Sequence, residues 1–260
     1  MLIRAGRVGA VGRTRVTLSD VNRLLSYMTT RPDATRAGHI ATLINTLDAA
    51  GIWKKLAVLY VTAAHDAQAA ILNWRNPSRN PLTLVNSPLI TTDRGLKSDG
   101  STSYANLTLN PAANANGLLQ QNDMAMGVWI TTAATGTSGD FGNTNSQIFS
   151  RSPAADWRIQ TTSNQAGGNQ IAGVSNITRL VSWSRLSSTS YKVFYRGSEL
   201  ATVSVASTGF SANMFLGRVV AAQYSTAQIG AAFAGAGLTD AEMLALSNAL
   251  DTYMTAIGAM

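Results

Sequence analysis

The feature that most constrains this chain is the run of short strand-length segments that fills its middle and later part. Seven of them combine β-branched or aromatic residues with polar ones and are bounded by turn-forming residues: Met126–Ile130, Gln147–Ser150, Trp157–Gln160, Leu180–Ser184, Tyr191–Tyr195, Leu200–Val205 and Met214–Gly217. Such spacing is typical of antiparallel sheets that pack face to face. We therefore expect a mainly β chain, an antiparallel jelly-roll sandwich.

Helical patterns lie on either side of this β region. Apolar residues recur at helical spacing over residues 20–29 and again after Thr35, which we expect to cap a second helix that Gly51 ends. Near the end of the chain, Thr239 and Glu242 form a capping box ahead of another amphipathic stretch. The fold class therefore includes a short N-terminal helical segment and a C-terminal helix. We divide the chain into a basic arm (1–17), a helical attachment segment (18–57) and the jelly roll with its C-terminal helix (58–260).

The net charge of +7 is concentrated at the start of the chain, since residues 1–36 hold seven arginines against two aspartates. Arg4, Arg7, Arg13 and Arg15 alternate with small and apolar residues, which favours an extended arm that binds acidic groups of a neighbouring subunit. A solvated, flexible end is an equally good interpretation. No aromatic residue precedes Tyr27, so nucleic acid is not an expected partner. The first residues lack the apolar stretch of a secretory signal, and we expect neither export by that route nor membrane insertion.

Four fragments in the β region and its C-terminal helix resemble the concanavalin A-like lectin/glucanase superfamily, particularly its laminin-G-like jelly rolls. They are listed in chain order: Lys97–Tyr104, Met124–Ile130, Tyr191–Leu200, and Phe215–Arg218 with the later stretch 229–242. The resemblance covers roughly residues 58–257 and implies the jelly-roll fold.

A second resemblance concerns the stretches Leu56–Tyr60, Ala64–Ala70, Leu72–Trp74 and Thr92–Gly95 ahead of the jelly roll. This arrangement is similar to structural proteins of tailed bacteriophages and gene transfer agents. It implies a virion component, such as a fibre, spike or decoration of the capsid or tail, that displays its sandwich to host-surface glycans. We expect it to be held by other virion proteins through its N-terminal region and to be a homo-oligomer. The alternatives are a polysaccharide-degrading enzyme on the same fold and a free lectin.

Catalytic chemistry is poorly supplied. The chain has no cysteine, two histidines and thirteen carboxylates, of which only Glu199 and Glu242 are glutamates. The glucanase branch of the superfamily uses two glutamates on one strand, and no such pattern occurs here. We therefore expect no enzyme, no catalytic residue and no cofactor. Cleavage by aspartates from separate loops stays open as the rival hypothesis, and His65-Asp66 is best interpreted as structural.

Carbohydrate binding needs an aromatic face to stack on a sugar and polar groups to bond its hydroxyls. The sequence offers this combination at Asp140, Asn143, Asn145, Trp157 and Arg158, although Trp157 fits a core position equally well. Asp99 and three of the same residues, Asp140, Asn143 and Asn145, are oxygen donors of the kind calcium prefers. Their spacing forms no calcium loop, and we expect no resident metal.

Overall fold

A computed structural model describes residues 17–114, 117–151, 159–163, 169–171, 174, 177–209 and 212–260. The helices are α1 (Thr17–Tyr27), α2 (Ala34–Ala49), α3 (Ala67–Ile71), α4 (Pro111–Asn114) and α5 (Asp240–Ala256), with a 3-10 turn at Trp53–Lys55. The strands in the first half of the chain are β1 (Leu56–Tyr60), β2 (Thr83–Val85), β3 (Leu89–Thr91), β4 (Gly95–Lys97), β5 (Tyr104–Asn106) and β6 (Met124–Thr132). Those that follow are β7 (Ser138–Gly142), β8 (Ser146–Arg151), β9 (Ile159–Ser163), β10 (Asn169–Ile171), β11 (Arg179–Arg185), β12 (Ser190–Tyr195), β13 (Ser198–Ser204), β14 (Phe215–Leu216), β15 (Arg218–Val220), β16 (Gln223–Tyr224) and β17 (Gln228–Gly235).

The strands form two large antiparallel sheets and a small hairpin. In the described part of the chain, the first sheet has the order β13-β12-β11-β6-β17-β4-β3, and β1 pairs with the free half of the β17 edge. The second sheet has the order β10-β9-β8-β7-β14-β5-β2, and among the described strands β15 pairs only with β16. The expectation of a mainly β antiparallel sandwich with N-terminal helices and a C-terminal helix is confirmed.

The two sheets enclose one of the two apolar cores. Alternate residues of β6 and β11, such as Met126, Val128 and Trp183, point from the first sheet into this core. They meet Phe141 and Ile148 of the second sheet, all of them fully buried. Strand alternation thus assigns one face of each central strand to the space between the sheets.

The opposite face of the first sheet packs against helices. Trp129 and Phe233 point to this side, where they join apolar residues of α1, α2 and α5 in a second core. We call these three helices the helical layer. The chain therefore has three layers, with the first sheet in the middle and its central strands buried on both faces. The division at residues 57 and 58 stays a prediction, and the helices before it share this core with the sandwich.

The helix termini follow their local sequences in part. The capping box of α5 is present, with both Thr239 and Glu242 making their bonds. The expected cap of α2 at Thr35 is wrong, because Asp33 accepts the Arg36 N–H at 2.7 Å and the helix begins at Ala34. No helix in the described ranges is both long and apolar enough to cross a membrane.

Candidate functional site

Asp140 is enclosed beneath the surface of the second sheet rather than exposed on a loop. Its carboxylate accepts hydrogen bonds from the hydroxyls of Ser138 (2.6 Å) and Ser225 (2.7 Å) and from the backbone N–H of Ser150 (2.5 Å). Burial raises the pKa of this carboxyl above its ordinary value, although the hydrogen bonds oppose the shift. With no exposed surface, Asp140 acts in this conformation as a structural junction.

The two asparagines predicted beside it lie in the turn between β7 and β8. The Asn143 side-chain oxygen accepts from the N–H groups of Asn145 (3.0 Å) and Ser146 (2.9 Å), and its amide donates to the Ala212 carbonyl (3.2 Å). Asn143 is buried and Asn145 is partly exposed. Trp157 and Arg158 lie outside the described residues, as do Arg4, Arg7, Arg13 and Arg15. The glycan-binding role of the predicted set therefore stays a prediction.

Asp99, considered as a calcium ligand, organises the loop between β4 and β5. One carboxylate oxygen accepts from the backbone N–H groups of Ser101, Thr102 and Ser103, and the other accepts from the Thr102 hydroxyl. These hydrogen bonds lower the pKa of Asp99 well below its ordinary value, and the bond from the Ser103 N–H contributes most to this shift. Within the described ranges, no three acidic or histidine side chains are close enough together to hold a metal ion. His65 contacts the Thr30 carbonyl at 2.8 Å, at the junction of the helices with the sandwich.

A cluster of one arginine and three aromatic residues is the most distinctive feature of the outer face of the second sheet. The guanidinium carbon of Arg218 lies 4.4 Å from the ring centroid of Tyr104, 4.5 Å from that of Phe215 and 5.8 Å from that of Tyr224. The rings of Tyr104 and Phe215 meet edge to face at 5.4 Å. All four side chains are partly exposed. We call them the arginine–aromatic patch.

Strand register brings the patch together from distant parts of the sequence. Phe215 pairs with Asn106, so both side chains lie on the outer face of β14 and β5, and Tyr104 follows on the same face two residues away. The Asn106 side-chain oxygen accepts from the Thr108 N–H at 2.8 Å. Its amide group makes no hydrogen bond with any described residue and adds a donor beside the rings.

The hairpin of β15 and β16 carries the other two members of the patch and lies on β7. The Gly217 N–H donates to the Asp140 carbonyl at 2.7 Å, and the Ser225 N–H donates to the Gly217 carbonyl at 2.8 Å. The Ser225 hydroxyl reaches the Asp140 carboxylate. Asp140 thus fixes both ends of the hairpin and, through them, the positions of Arg218 and Tyr224.

Among the described residues, Arg218 differs from the other partly or fully buried arginines in having no oxygen partner. Arg36 forms an ion pair with Asp93, and the buried Arg185 donates to the carbonyl and hydroxyl of Ser163, among other acceptors. The Arg218 guanidinium makes no ion pair or hydrogen bond with any residue that the structure describes, and its buried Nε lacks a partner. A cation held by aromatic rings with its terminal N–H groups unused is suited to receive an external acceptor.

A cleft of about 440 Å³ lies between the β11–β12 connection and the start of α5. Leu186, Tyr191 and Leu238 supply apolar surface there. Its charged groups are already matched, because Lys192 binds both Asp240 (2.7 Å) and Glu199 (2.8 Å). The unmatched cation of the patch makes the patch the better candidate for ligand binding.

Sequence reasoning missed this patch, although it noted most of its residues for other reasons. Tyr104, Phe215 and Arg218 lie in the fragments that resemble the jelly-roll family. Tyr224, 120 residues after Tyr104, attracted no notice. Their proximity depends on strand order, which no local signal carries.

Comparisons with known proteins support the fold. No protein-family model matches the sequence, and no curated protein matches it either. A solved structure of a mutant of Trypanosoma rangeli sialidase displaying trans-sialidase activity aligns at TM-score 0.57 and 10% identity, over 82% of this chain and 39% of that one. The same sialidase in complex with 2,3-difluoro-KDN aligns at TM-score 0.55 and 11% identity, over 84% of this chain and 40% of that one. A third solved structure is domain 4 of AbnA, a GH43 extracellular arabinanase from Geobacillus stearothermophilus, in complex with arabinotriose. It aligns at TM-score 0.48 and 15% identity, over 74% of this chain and 98% of that one.

These alignments correct one expectation. From the scarcity of carboxylates we expected that the chain is not an enzyme, and this exclusion is wrong, because the solved structures that share its fold include sialidases. The chain spans about two fifths of the length of those sialidases. The likeness establishes the fold that the two proteins share over that part.

Proposed function

We propose that this protein binds carbohydrate through the arginine–aromatic patch. The observation that carries the proposal is the joint partial exposure of three aromatic rings and a guanidinium without an ionic or hydrogen-bond partner among the described residues, on the outer face of the second sheet. Aromatic rings stack against the C–H faces of sugars, while Arg218 and the Asn106 amide donate to sugar oxygens. The fold adds support, since it is also found in part of a sialidase.

Affinity measurements on two single variants test the patch. Tyr224→Ala removes one ring from the patch, whereas Tyr27→Ala removes a 44% exposed tyrosine from α1, in the helical layer. With a panel of bacterial capsular and plant polysaccharides, we expect the first variant to bind about tenfold more weakly than the parent and the second to bind equally well. Failure of the parent to bind any polysaccharide, or equal binding by Tyr224→Ala, would contradict the proposal. New reducing ends in the same incubations would support the polysaccharide-degrading alternative.

We further propose that the binding sandwich belongs to a phage-type virion, as a fibre, spike or decoration of the capsid or tail. Residues 1–17 and 18–57 then attach it to other virion proteins, and residues 58–260 display the patch to host-surface polysaccharide. The basic composition of the first segment and the resemblance of residues 56–95 to phage structural proteins support this assignment. A homo-oligomer on the particle surface would multiply weak glycan contacts.

Replacement of Arg4, Arg7, Arg13 and Arg15 by alanine tests the attachment. We expect less of the variant in purified particles, measured by mass spectrometry against the major capsid component. Its urea unfolding midpoint should equal that of the parent, because the substitutions lie before α1. Undiminished incorporation, or absence of the unmodified protein from particles, would refute the proposed virion role.

A further inference from the structure

We infer that the arginine–aromatic patch selects acidic polysaccharides and that Arg218 binds the sugar carboxylate. This inference rests on the proposed carbohydrate-binding function and adds the chemical class of the ligand. An arginine side chain has five N–H donors and no acceptor, so a ligand that satisfies these donors has to supply oxygen acceptors. Among sugar substituents, a carboxylate matches the planar guanidinium with two parallel hydrogen bonds.

The rings fix the direction of the guanidinium before any ligand arrives. The guanidinium carbon lies 4.4 Å from the ring centroid of Tyr104 and 4.5 Å from that of Phe215. The planes of these two rings are almost perpendicular, at 89°. A flexible surface arginine loses side-chain entropy when it forms an ion pair, which is one reason that exposed pairs contribute little. Because Tyr104 and Phe215 already restrain Arg218, most of this loss occurs on folding rather than on binding.

Two carboxylates in segments that adjoin the patch already accept hydrogen bonds from other donors. Asp140, beneath the hairpin, accepts from two hydroxyls and one backbone N–H. Asp99, in the loop that leads to Tyr104, accepts from three backbone N–H groups and a hydroxyl. Neither forms an ion pair with Arg218, and no other acidic residue in the described part of the chain does so. Among the described residues, the guanidinium is therefore left for a ligand from outside.

The tyrosine and phenylalanine rings add a requirement that a simple anion does not meet. Free phosphate or sulfate would use the guanidinium alone, whereas an acidic sugar places its ring against the aromatic side chains while its carboxylate reaches Arg218. The combination therefore favours an acidic sugar over a small inorganic anion.

Polygalacturonate and its carboxyl-reduced form provide a matched pair of probes that differ only in the carboxylate. We expect the protein to bind polygalacturonate at least tenfold more tightly than the reduced polymer. Arg218→Gln should abolish this preference and Arg218→Lys should retain part of it, because lysine lacks the bidentate geometry. Dextran sulfate against dextran tests sulfate as the alternative acidic group.

Arg196→Gln is the control for the general attraction between a basic protein and a polyanion. Arg196 also lies over a tyrosine ring, because its guanidinium carbon is 5.2 Å from the ring centroid of Tyr195. It is exposed, however, at the turn between β12 and β13 in the first sheet. Both glutamine variants lose one positive charge, and only that at Arg218 should lose the preference for polygalacturonate. Urea unfolding of both variants confirms that they are folded.

Each outcome decides a different proposal. Equal binding of the two polygalacturonans by the parent, or equal loss in both glutamine variants, would overturn the acidic-sugar inference and leave carbohydrate binding intact. Arg218-dependent binding of dextran sulfate without binding of polygalacturonate would overturn the carboxylate assignment. No binding of any polysaccharide would overturn the proposed function itself.

Discussion

Gly139→Ala tests how the hairpin that carries Arg218 and Tyr224 is seated on the second sheet. A Cβ at residue 139 would lie 2.7 Å from the Gln223 carbonyl oxygen and 2.8 Å from a methyl carbon of Val219, both on this hairpin. Ordinary contacts between such atoms are about 3.5–4 Å, so the hairpin has to move by roughly 0.7–1.3 Å. Overpacking of this kind costs about 1–3 kcal/mol.

The displacement separates the two halves of the patch. Tyr104 and Phe215 belong to β5 and β14, which the substitution does not touch directly, whereas Arg218 and Tyr224 move with the hairpin. We expect Gly139→Ala to lower the free energy of unfolding in urea by about 1–3 kcal/mol and to weaken polysaccharide binding several-fold.

Gly136→Ala is the matched control, because a Cβ there meets no atom within 4 Å. It should change stability by less than about 0.5 kcal/mol and leave affinity unaltered. The reasoning is refuted if the two alanine variants are equally stable. If Gly139→Ala loses stability but binds as well as the parent, the position of the hairpin does not matter for binding.

Further expectations concern the helical layer. Thr239→Ala removes the cap of α5 and should cost about 1 kcal/mol in urea unfolding, whereas Thr252→Ala on the exposed side of the same helix should cost almost nothing. Glu242 makes the stability of the protein depend on pH. Burial acts to raise the pKa of Glu242, but hydrogen bonds from Lys55 and Thr239 outweigh it and lower this pKa below its ordinary value of 4.5. Its stabilising effect is thus present above about pH 4.5 and is lost as the pH falls through the lower folded-state pKa. The difference in stability between the parent and Glu242→Gln should therefore narrow as the pH is lowered from 4.5. Leu246→Ala empties a fully buried position and should cost about 2–5 kcal/mol by thermal or urea unfolding, against little for Leu244→Ala, which is 44% exposed.

The sequence predicted correctly those features of the fold that depend on residues close together in the chain, such as the cap of α5. The capping box at Thr239 and Glu242 depends on residues three positions apart, and it forms as the sequence indicates. Thr35 was expected to cap α2, but Asp33 does so instead, and both residue types favour that position. The alternation in β6 and β11 predicted strands, but it did not show that helices would cover the second face of the first sheet.

The candidate site depended on tertiary relations that the sequence does not display. Asp140 has the residue type and the glycine-rich setting of a binding loop, but it is buried and accepts a hydrogen bond from Ser225, 85 residues later in the chain. Arg218 and Tyr104 are similarly distant, and only the pairing of β14 with β5 makes them neighbours. Residue type identified the chemistry available to the chain, while register decided which groups meet.

The three layers give the molecule two unlike ends. The start of α1 belongs to the helical layer, and the arginine–aromatic patch faces outward from the second sheet on the far side. Helix-on-sheet and sheet-on-sheet spacings of about 10 Å each separate them by roughly 20 Å. A bulky partner bound where α1 begins would therefore leave the arginine–aromatic patch unobstructed.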